Sequence, residues 1–391
     1  MRVGMVMTSL SRLGGGLTPA VCGLSTALNG TADCQVTAYG LIDRYTNDDK
    51  KVWGTLPTRE FIAHGPRAWG YSPGLTKAVC NSGVDVLHRH GMWDFPSRSV
   101  WKAAKGQGTP YVVSTHGSLN RFAREIKPVR KWIMGLLWER KFLERANCLH
   151  ALSSAEAAAC REYGVTAPIA VIPNGIDPAS PDPHLEAPWP NPHDGRKVLL
   201  FIGRLHPIKG LPTLLQALAR VSTAARKLQW RLVIAGWEQL GHRGELESLS
   251  RELGISNEVD FVGGLFGEEK TNALYRANAF VLPSKSEGQP VAVLEAWSYK
   301  LPAVLTEACN LPVANERGFS LVNNGSVAAM ADNLEQMFAM SETCRLDMGN
   351  QAQAYAQASY CWKSQAEKML RVYHWLSSDD DCPYDLLYQG E

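Results

Sequence analysis

The chain has 391 residues, 45% hydrophobic and 20% charged, with a formal net charge of +2. That length suits two domains, and the balance excludes a disordered chain and offers no argument for a nucleic-acid partner. No run approaches the roughly 20 apolar residues of a membrane span, and nine cysteines, scattered without any C-x-x-C, read as reduced thiols rather than a disulfide or metal framework. The expected location is cytoplasmic, with surface attachment to the inner face of the cytoplasmic membrane as the alternative.

In chain order, the apolar opening at residues 5–8 reads as a first buried strand rather than a signal segment. Further strands are expected at 84–88, 111–115, 148–152 and 169–172, separated by amphipathic segments, which is the pattern of parallel strands with crossover helices. Residues 178–194 then carry six prolines, which can neither extend a helix nor sit inside a sheet, so the stretch reads as a linker. The pattern resumes with strands at 198–203, 231–236, 259–263, 279–282 and 303–305, and a last helix at 364–376. The expected organisation is an N-terminal Rossmann-like domain at 1–177, a Pro-rich linker at 178–196, a C-terminal nucleotide-binding domain at 197–360, a C-terminal helix at 361–377 and a loosely held acidic tail at 378–391. Two open α/β sheets bind ligands outside the carboxyl ends of their strands, so the expectation is two doubly wound domains facing each other across a cleft.

Four segments carry chemistry. In the first, a strand ending near Leu282 runs into a loop with Glu287, Gly288 and Gln289, and then into a helix with Pro290 at its first position. The Val291 and Ala292 amides at that helix start suit a phosphate, and Glu295, eight positions after Glu287, lies a turn inside the helix. In the second, Arg204 and Lys209 follow a strand end and Gly203, and two cations there offset charge on a departing diphosphate without a metal. In the third, Gly14, Gly15 and Gly16 follow the first strand and permit close approach of a ligand. In the fourth, His116 stands at the end of a strand, where it can donate to a sugar hydroxyl or a phosphate.

Together with Ile172-Pro173-Asn174-Gly175-Ile176-Asp177 and Tyr360-Cys361-Trp362, these segments resemble glycosyltransferase family 4, the retaining enzymes of the two-domain GT-B fold, over residues 1 to about 376. The resemblance implies transfer of a sugar from a nucleoside diphosphate to an acceptor hydroxyl, in polysaccharide or lipid-linked saccharide synthesis, with no metal. It implies that Arg204 and Lys209 hold the diphosphate and that Glu295 accepts from the ribose. It also implies that Glu287 and His116 contact the donor sugar, that backbone near Gly263 and Leu265 meets the base, and that Gly15 and Gly16 lie against the phosphates and acceptor. This chain departs from the family's Gly-Phe-Gly with Gly288-Gln289-Pro290, and Pro290 has no amide to donate. Two alternatives stay open: an epimerase or phosphorylase on the same fold, and a catalytically idle nucleotide-sugar-binding module.

Other features read as structural. His88 and His90 share a strand face but lack a third ligand for a metal. The Asp379-Asp380-Asp381 run reads as an exposed charge cluster. Residues 121–145, bounded by Arg121 and Arg145, mix basic and aromatic residues; packing of the apolar face on the core and attachment of the basic side to an anionic membrane are both expected.

Overall fold

A computed structural model describes all residues except 121–122, 125–127, 178, 181, 183, 185, 239–240, 379 and 391. The chain divides into two compact units, one of residues Met1–Gly175 with Trp362–Glu391 and one of Ile176–Cys361.

The first unit is built on seven parallel strands. These are β1 (Arg2–Ser9), β2 (Gln35–Leu41), β3 (Thr58–Phe61), β4 (Val86–His90), β5 (Tyr111–Ser114), β6 (Cys148–Ala151) and β7 (Ile169–Val171), in the order β3-β2-β1-β4-β5-β6-β7. Because alternate residues of a strand face opposite ways, the sheet feeds two cores. Val6, Leu87, Val113 and Leu149 enter one. Met5, Val86, Val112 and Cys148 enter the other, which also takes Leu24 from the helix Leu17–Asn29 and Met369, Val372 and Tyr373 from the helix Trp362–Ser377. The latter helix is keyed in by Trp362. A side chain at Gly23 or Gly175 would begin 2.3 or 2.4 Å from atoms of that residue, so both positions must stay bare.

The segment after this helix differs from the loosely held tail expected of its acidic sequence. Leu386 is buried, Leu387 pairs with Ala170, the Tyr388 amide donates to the Ile169 carbonyl (2.8 Å), and Arg371 bonds Asp385 at 2.6 Å. The apolar side chains of the tail found the edge strand β7, a contact invisible to a local charge count.

The second unit has six parallel strands: β8 (Lys197–Ile202), β9 (Trp230–Ala235), β10 (Val259–Gly263), β11 (Ala279–Leu282), β12 (Ala303–Thr306) and β13 (Ser320–Asn323). Their order is β10-β9-β8-β11-β12-β13, so the winding reverses between β8 and β11. β8, β11 and β12 are largely apolar runs because both faces of the sheet are covered. Leu199, Val233 and Val281 are buried with Leu214 and Leu218 of the helix Leu211–Arg220, and with Leu294 and Trp297 of the helix Val291–Ser298.

Candidate active site

Open α/β sheets take ligands at the carboxyl ends of their strands where the winding reverses, which here is between β8 and β11. After β8, Pro207–Lys209 forms one tight turn. His206 caps it, its Nδ1 accepting from the Ile208 amide at 3.2 Å, and Gly210 ends it at φ +69°. A side chain at Gly210 would begin 2.0 Å from the Pro283 carbonyl oxygen, so only glycine lets the loop after β8 lie against the loop after β11. The Lys285 amide donates to the Ile208 carbonyl (2.8 Å) and fastens the two loops.

That fastening brings Lys209 and Glu287, 78 positions apart, into an ion pair: Lys209 Nζ donates to Glu287 Oε1 at 2.5 Å. Ser284 Oγ donates to the same oxygen. The Glu287 backbone is clamped as well, its amide donating to the Ala308 carbonyl (3.0 Å) and its carbonyl accepting from Asn310 Nδ2 (2.6 Å). The two side chains are only 19% and 12% exposed, so the pair is fixed in place and partly shielded from water. Arg204, from the same loop as Lys209, is exposed and makes no ion pair among the described residues. His206 lies close to these cations. Burial, and then Arg204, His242 and Lys209, lower its pKa below the ordinary histidine value, so it adds no charge of its own.

Glu295 sits on the helix Val291–Ser298 and meets Lys270 of the helix Gly267–Arg276, Nζ to Oε1 at 2.6 Å. The helix start differs from expectation. Pro290 is the residue before the first helical position rather than that position itself. The Val291 amide, expected to face a phosphate, donates to the Gln289 carbonyl at 3.0 Å. Val293 and Leu294 donate to the Pro290 carbonyl, so the expectation of an anion-binding amide narrows to Ala292. Gly288 precedes this turn in the loop. Gly263 ends β10 at φ +83° and its carbonyl accepts from the Gly236 amide (2.7 Å), while the Leu265 side chain is buried in the unit's core and leaves only its backbone to meet a ligand.

In the first unit, the glycine-rich loop is tied down by carboxylates that sequence reasoning missed. Ser9 and Ser11 both donate to Asp43, at 2.5 and 2.7 Å, and Arg12 bonds Asp49 through its amide and guanidinium. Beside Gly15 and Gly16 the space is open, with no atom within 4 Å of where a side chain would start. His116, at φ +47°, lies in a loop held by the buried Glu156, which accepts from Thr115 Oγ1 and the Gly117 amide (2.6 Å) on one oxygen and from the Leu152 amide (2.8 Å) on the other. A Ser153-x-x-Glu156 helix-start pattern was the signal that could have singled out Glu156.

Four histidines gather on one face of this sheet. Nδ1 of His90 and Nε2 of His116 are 3.1 Å apart, and His90 Nε2 lies 3.3 Å from Met5 Sδ. His88 is bonded to Tyr373 Oη and Ser114 Oγ, both at 2.6 Å, and Ser114 continues to His150 Nδ1 at 2.7 Å. Burial, more than their mutual repulsion, drives all four pKa values down: His116 to about 3, His150 to about 4, and His88 and His90 well below 6.5. These are neutral hydrogen-bonding groups. Among the described residues no group of three or more His, Cys, Asp or Glu is placed to hold a metal ion.

The apolar residues of the basic segment divide. Met134, Trp138, Phe142 and Leu143 are buried, whereas Val129, Trp132, Leu136 and Leu137 are 70%, 68%, 69% and 57% exposed. Arg121 and part of the segment that follows it lie outside the described residues. No described helix is long and apolar enough to cross a membrane.

The family model described as "Glycosyltransferase Family 4" matches residues 14–180, and "Glycosyl transferases group 1" matches residues 186–355. The GDP-mannose:cellobiosyl-diphosphopolyprenol alpha-mannosyltransferase of Xanthomonas oryzae pv. oryzae is 27% identical over 330 residues, 82% of this chain and 81% of that protein. The D-inositol 3-phosphate glycosyltransferase of Corynebacterium jeikeium is 32% identical over 182 residues, 45% of this chain and 43% of the relative, so that match spans less than half of the relative's length. Among solved structures, HepE of Anabaena in complex with UDP and glucose has a TM-score of 0.75 at 17% identity, covering 96% of this chain and all of that one. Sucrose-phosphate synthase of Thermosynechococcus elongatus has a TM-score of 0.73 at 19% identity, covering 96% and 99%. These structural likenesses establish the GT-B fold. The chain belongs to the glycosyltransferase family 4 group and is a glycosyltransferase.

Proposed function

We propose that this glycosyltransferase moves a sugar from a nucleoside diphosphate to the hydroxyl of a saccharide or lipid-linked saccharide, with retention at the anomeric carbon. We propose further that Lys209, Arg204 and Glu287 do the electrostatic work. The observation that carries the reading is the Lys209–Glu287 pair at the β8–β11 reversal. The Lys209 ammonium, already anchored by a carboxylate, is available for the β-phosphate, and the unpaired Arg204 offers a fork for further phosphate oxygens. As the sugar–phosphate bond breaks, negative charge grows on the leaving diphosphate, and cations fixed beforehand stabilise it without reorganising. Glu287 then has two tasks: it orients Lys209, and it supplies a carboxylate for a sugar hydroxyl or for positive charge developing at the anomeric carbon. Glu295, with Lys270 as its counter-ion, is suited to accept from ribose hydroxyls. These cations take the part that a divalent metal plays in other diphosphate chemistry, so the reaction needs none. The names of relatives that act with GDP-mannose on a lipid diphosphate, and of a neighbour holding UDP and glucose, support this donor and acceptor class.

A thermal-shift panel of UDP-, GDP-, ADP- and TDP-sugars tests the reading. A donor at 100 times its dissociation constant adds about 2.7 kcal/mol of stability, and the shift should be followed by acceptor-dependent release of the nucleoside diphosphate. No shift with any member, or release without sugar transfer, overturns it.

The location we propose is the cytoplasmic face of a membrane. The exposed Val129, Trp132, Leu136 and Leu137 beside the basic Arg140 and Lys141 support it, because apolar anchors flanked by cations suit an anionic leaflet. Co-sedimentation with phosphatidylglycerol vesicles at low salt should retain the chain, and Trp132→Ser should weaken retention. Equal sedimentation with neutral and anionic vesicles counts against it.

A further inference from the structure

The winding of the first unit also reverses, between β1 and β4. Ligands of open α/β sheets bind at such reversals, so the loops after these two strands flank the ligand site of this unit. The loop after β1 is the glycine-rich one, and the loop after β4, residues 91–94, lies against it. A side chain at Gly91 would begin 3.8 Å from Leu17, which starts the helix after the glycines. The Asp94 carboxylate accepts from Thr8 Oγ1 near the end of β1 and from the buried Arg89. Between them stands the backbone outlier Trp93, at φ +67° and buried. So large a side chain stays in the left-handed region only where its surroundings hold it there, and residues held in that way gather at functional sites.

Most of what holds Trp93 comes from one segment. Arg130, on the helix Pro128–Met134, donates to the Trp93 carbonyl at 2.9 Å, and Lys131 Nζ stands 5.9 Å from the centre of the indole. Glu139 accepts from Ser97 Oγ at 3.0 Å, in the first turn of the helix that follows the loop, and the Trp93 amide is a further donor to its carboxyl. Glu139 ends the turn Gly135–Glu139, which is wound with the wide i→i+5 spacing frequent at functional sites: the Arg140 amide reaches back to the Gly135 carbonyl. The turn leaves Leu136 and Leu137 outside and puts Trp138 and Glu139 inside. Packing alone does not call for a carboxyl there, because burying one costs stability where a leucine would add to it. A group that accepts from both Trp93 and Ser97 is needed only if the loop between them has to be fixed.

We propose that Arg130 and Glu139 are positioning residues: they hold Trp93 in the left-handed region and so fix the loop after β4 beside the glycine-rich loop, where the first unit takes the saccharide acceptor. The inference rests on the proposed function for the identity of the ligand. With the donor nucleotide at the reversal of the second unit, the reversal of the first is left for the acceptor.

Hydrogen exchange on the full chain without substrate reads the loop directly. The amides of Trp93 and Asp94 should exchange about tenfold faster or more in Arg130→Met and in Glu139→Leu than in the parent, while the amides of β5 and β6 keep their protection. Arg130→Lys and Glu139→Gln, which keep a donor and an acceptor in place, should restore most of the slow exchange. Parent-like exchange in both Arg130→Met and Glu139→Leu overturns the positioning. Loss of protection throughout the first unit in both variants overturns it as well, since the two residues then serve the fold as a whole. Transfer from UDP-glucose or GDP-mannose to octyl cellobioside reads the consequence. Arg130→Met should raise the acceptor KM about tenfold, with the donor KM and calorimetric binding of UDP or GDP unchanged, and Arg130→Lys should recover most of the loss. An unchanged acceptor KM, or donor and acceptor KM rising together, overturns the assignment to the acceptor. Absence of transfer by the parent with both donors contradicts the proposed function, and the exchange rates still decide the positioning.

Discussion

In the second unit the polar side chains at the sheet reversal are charged and already paired, Lys209 with Glu287 and Lys270 with Glu295. In the first unit the polar side chains that gather on one sheet face are neutral histidines, held neutral by burial and joined by hydrogen bonds. The difference follows from depth. The carboxylates and lysines sit in loops and on helices with water still in reach, so ionisation costs little, whereas His88, His90 and His150 are buried on strands, where a charge would lack solvation. Charged pairs can exchange partners when an anionic ligand arrives. A neutral network cannot, and it fixes geometry instead.

The comparison predicts opposite phenotypes. Lys209→Met should lower kcat by about 10²–10³-fold, the range for removing one preorganised charge-stabilising group, with little change in the denaturation midpoint; steady-state kinetics and urea melts on the same preparation check both. Glu287→Ala should bring a comparable loss of turnover while nucleotide binding persists, as measured by calorimetric titration. His88→Phe should do the reverse. It leaves Tyr373 Oη and Ser114 Oγ without their partner in the buried network, which costs roughly 2–4 kcal/mol in urea unfolding, with kcat nearly unchanged.

Acid should find the first unit. A histidine kept neutral in the fold takes up its proton near pH 6.5 when unfolded and only near pH 4 (His150) or pH 3 (His116) when folded. The unfolded chain thus binds more protons in this window. Stability is complete above about pH 6.5 and falls as pH drops, each such histidine adding about 1.4 kcal/mol per pH unit to the slope. Urea titrations between pH 7 and 5 should show this slope, and His150→Gln should flatten it.

A further pH effect has the opposite sign. Burial, and then Asp94, raise the Glu139 pKa from 4.5 to about 8, so the folded chain keeps a proton that the unfolded chain has lost, and stability from this group falls as pH rises through that range. Ser97 Oγ and Trp138 Nε1 contact its two oxygens. Glu139→Gln should remove this alkaline loss, seen as a variant that gains on the parent between pH 6 and 9.

Much of this was legible in the sequence because most interior strands are rich in apolar residues. The strands β2, β3 and β13 were not, since Gln35–Leu41 and Ser320–Asn323 mix polar with apolar residues and Thr58–Phe61 is a short edge with two charges. Lys209 and Glu287 could be named from their loops, but their pairing depends on β8 and β11 being neighbours, which local pattern does not encode. Lys270 and Glu156 escaped notice because the partners that give them meaning lie 25 and 39 to 41 positions away. The helix start at Val291 was misjudged by one position because the Gln289 carbonyl turns back to take its amide.

The central claim is that a cation fixed by Glu287 stabilises the departing diphosphate, and it is met most directly by transfer kinetics of the Lys209→Met chain with donors of differing leaving group. Against a saccharide acceptor, the loss relative to the parent chain should be large with the natural nucleoside diphosphate sugar. It should shrink sharply with a fluoride-activated sugar assayed in the presence of the nucleoside diphosphate, because fluoride departs without charge building on the diphosphate. An equal loss with both donors, or no loss with either, would contradict the account.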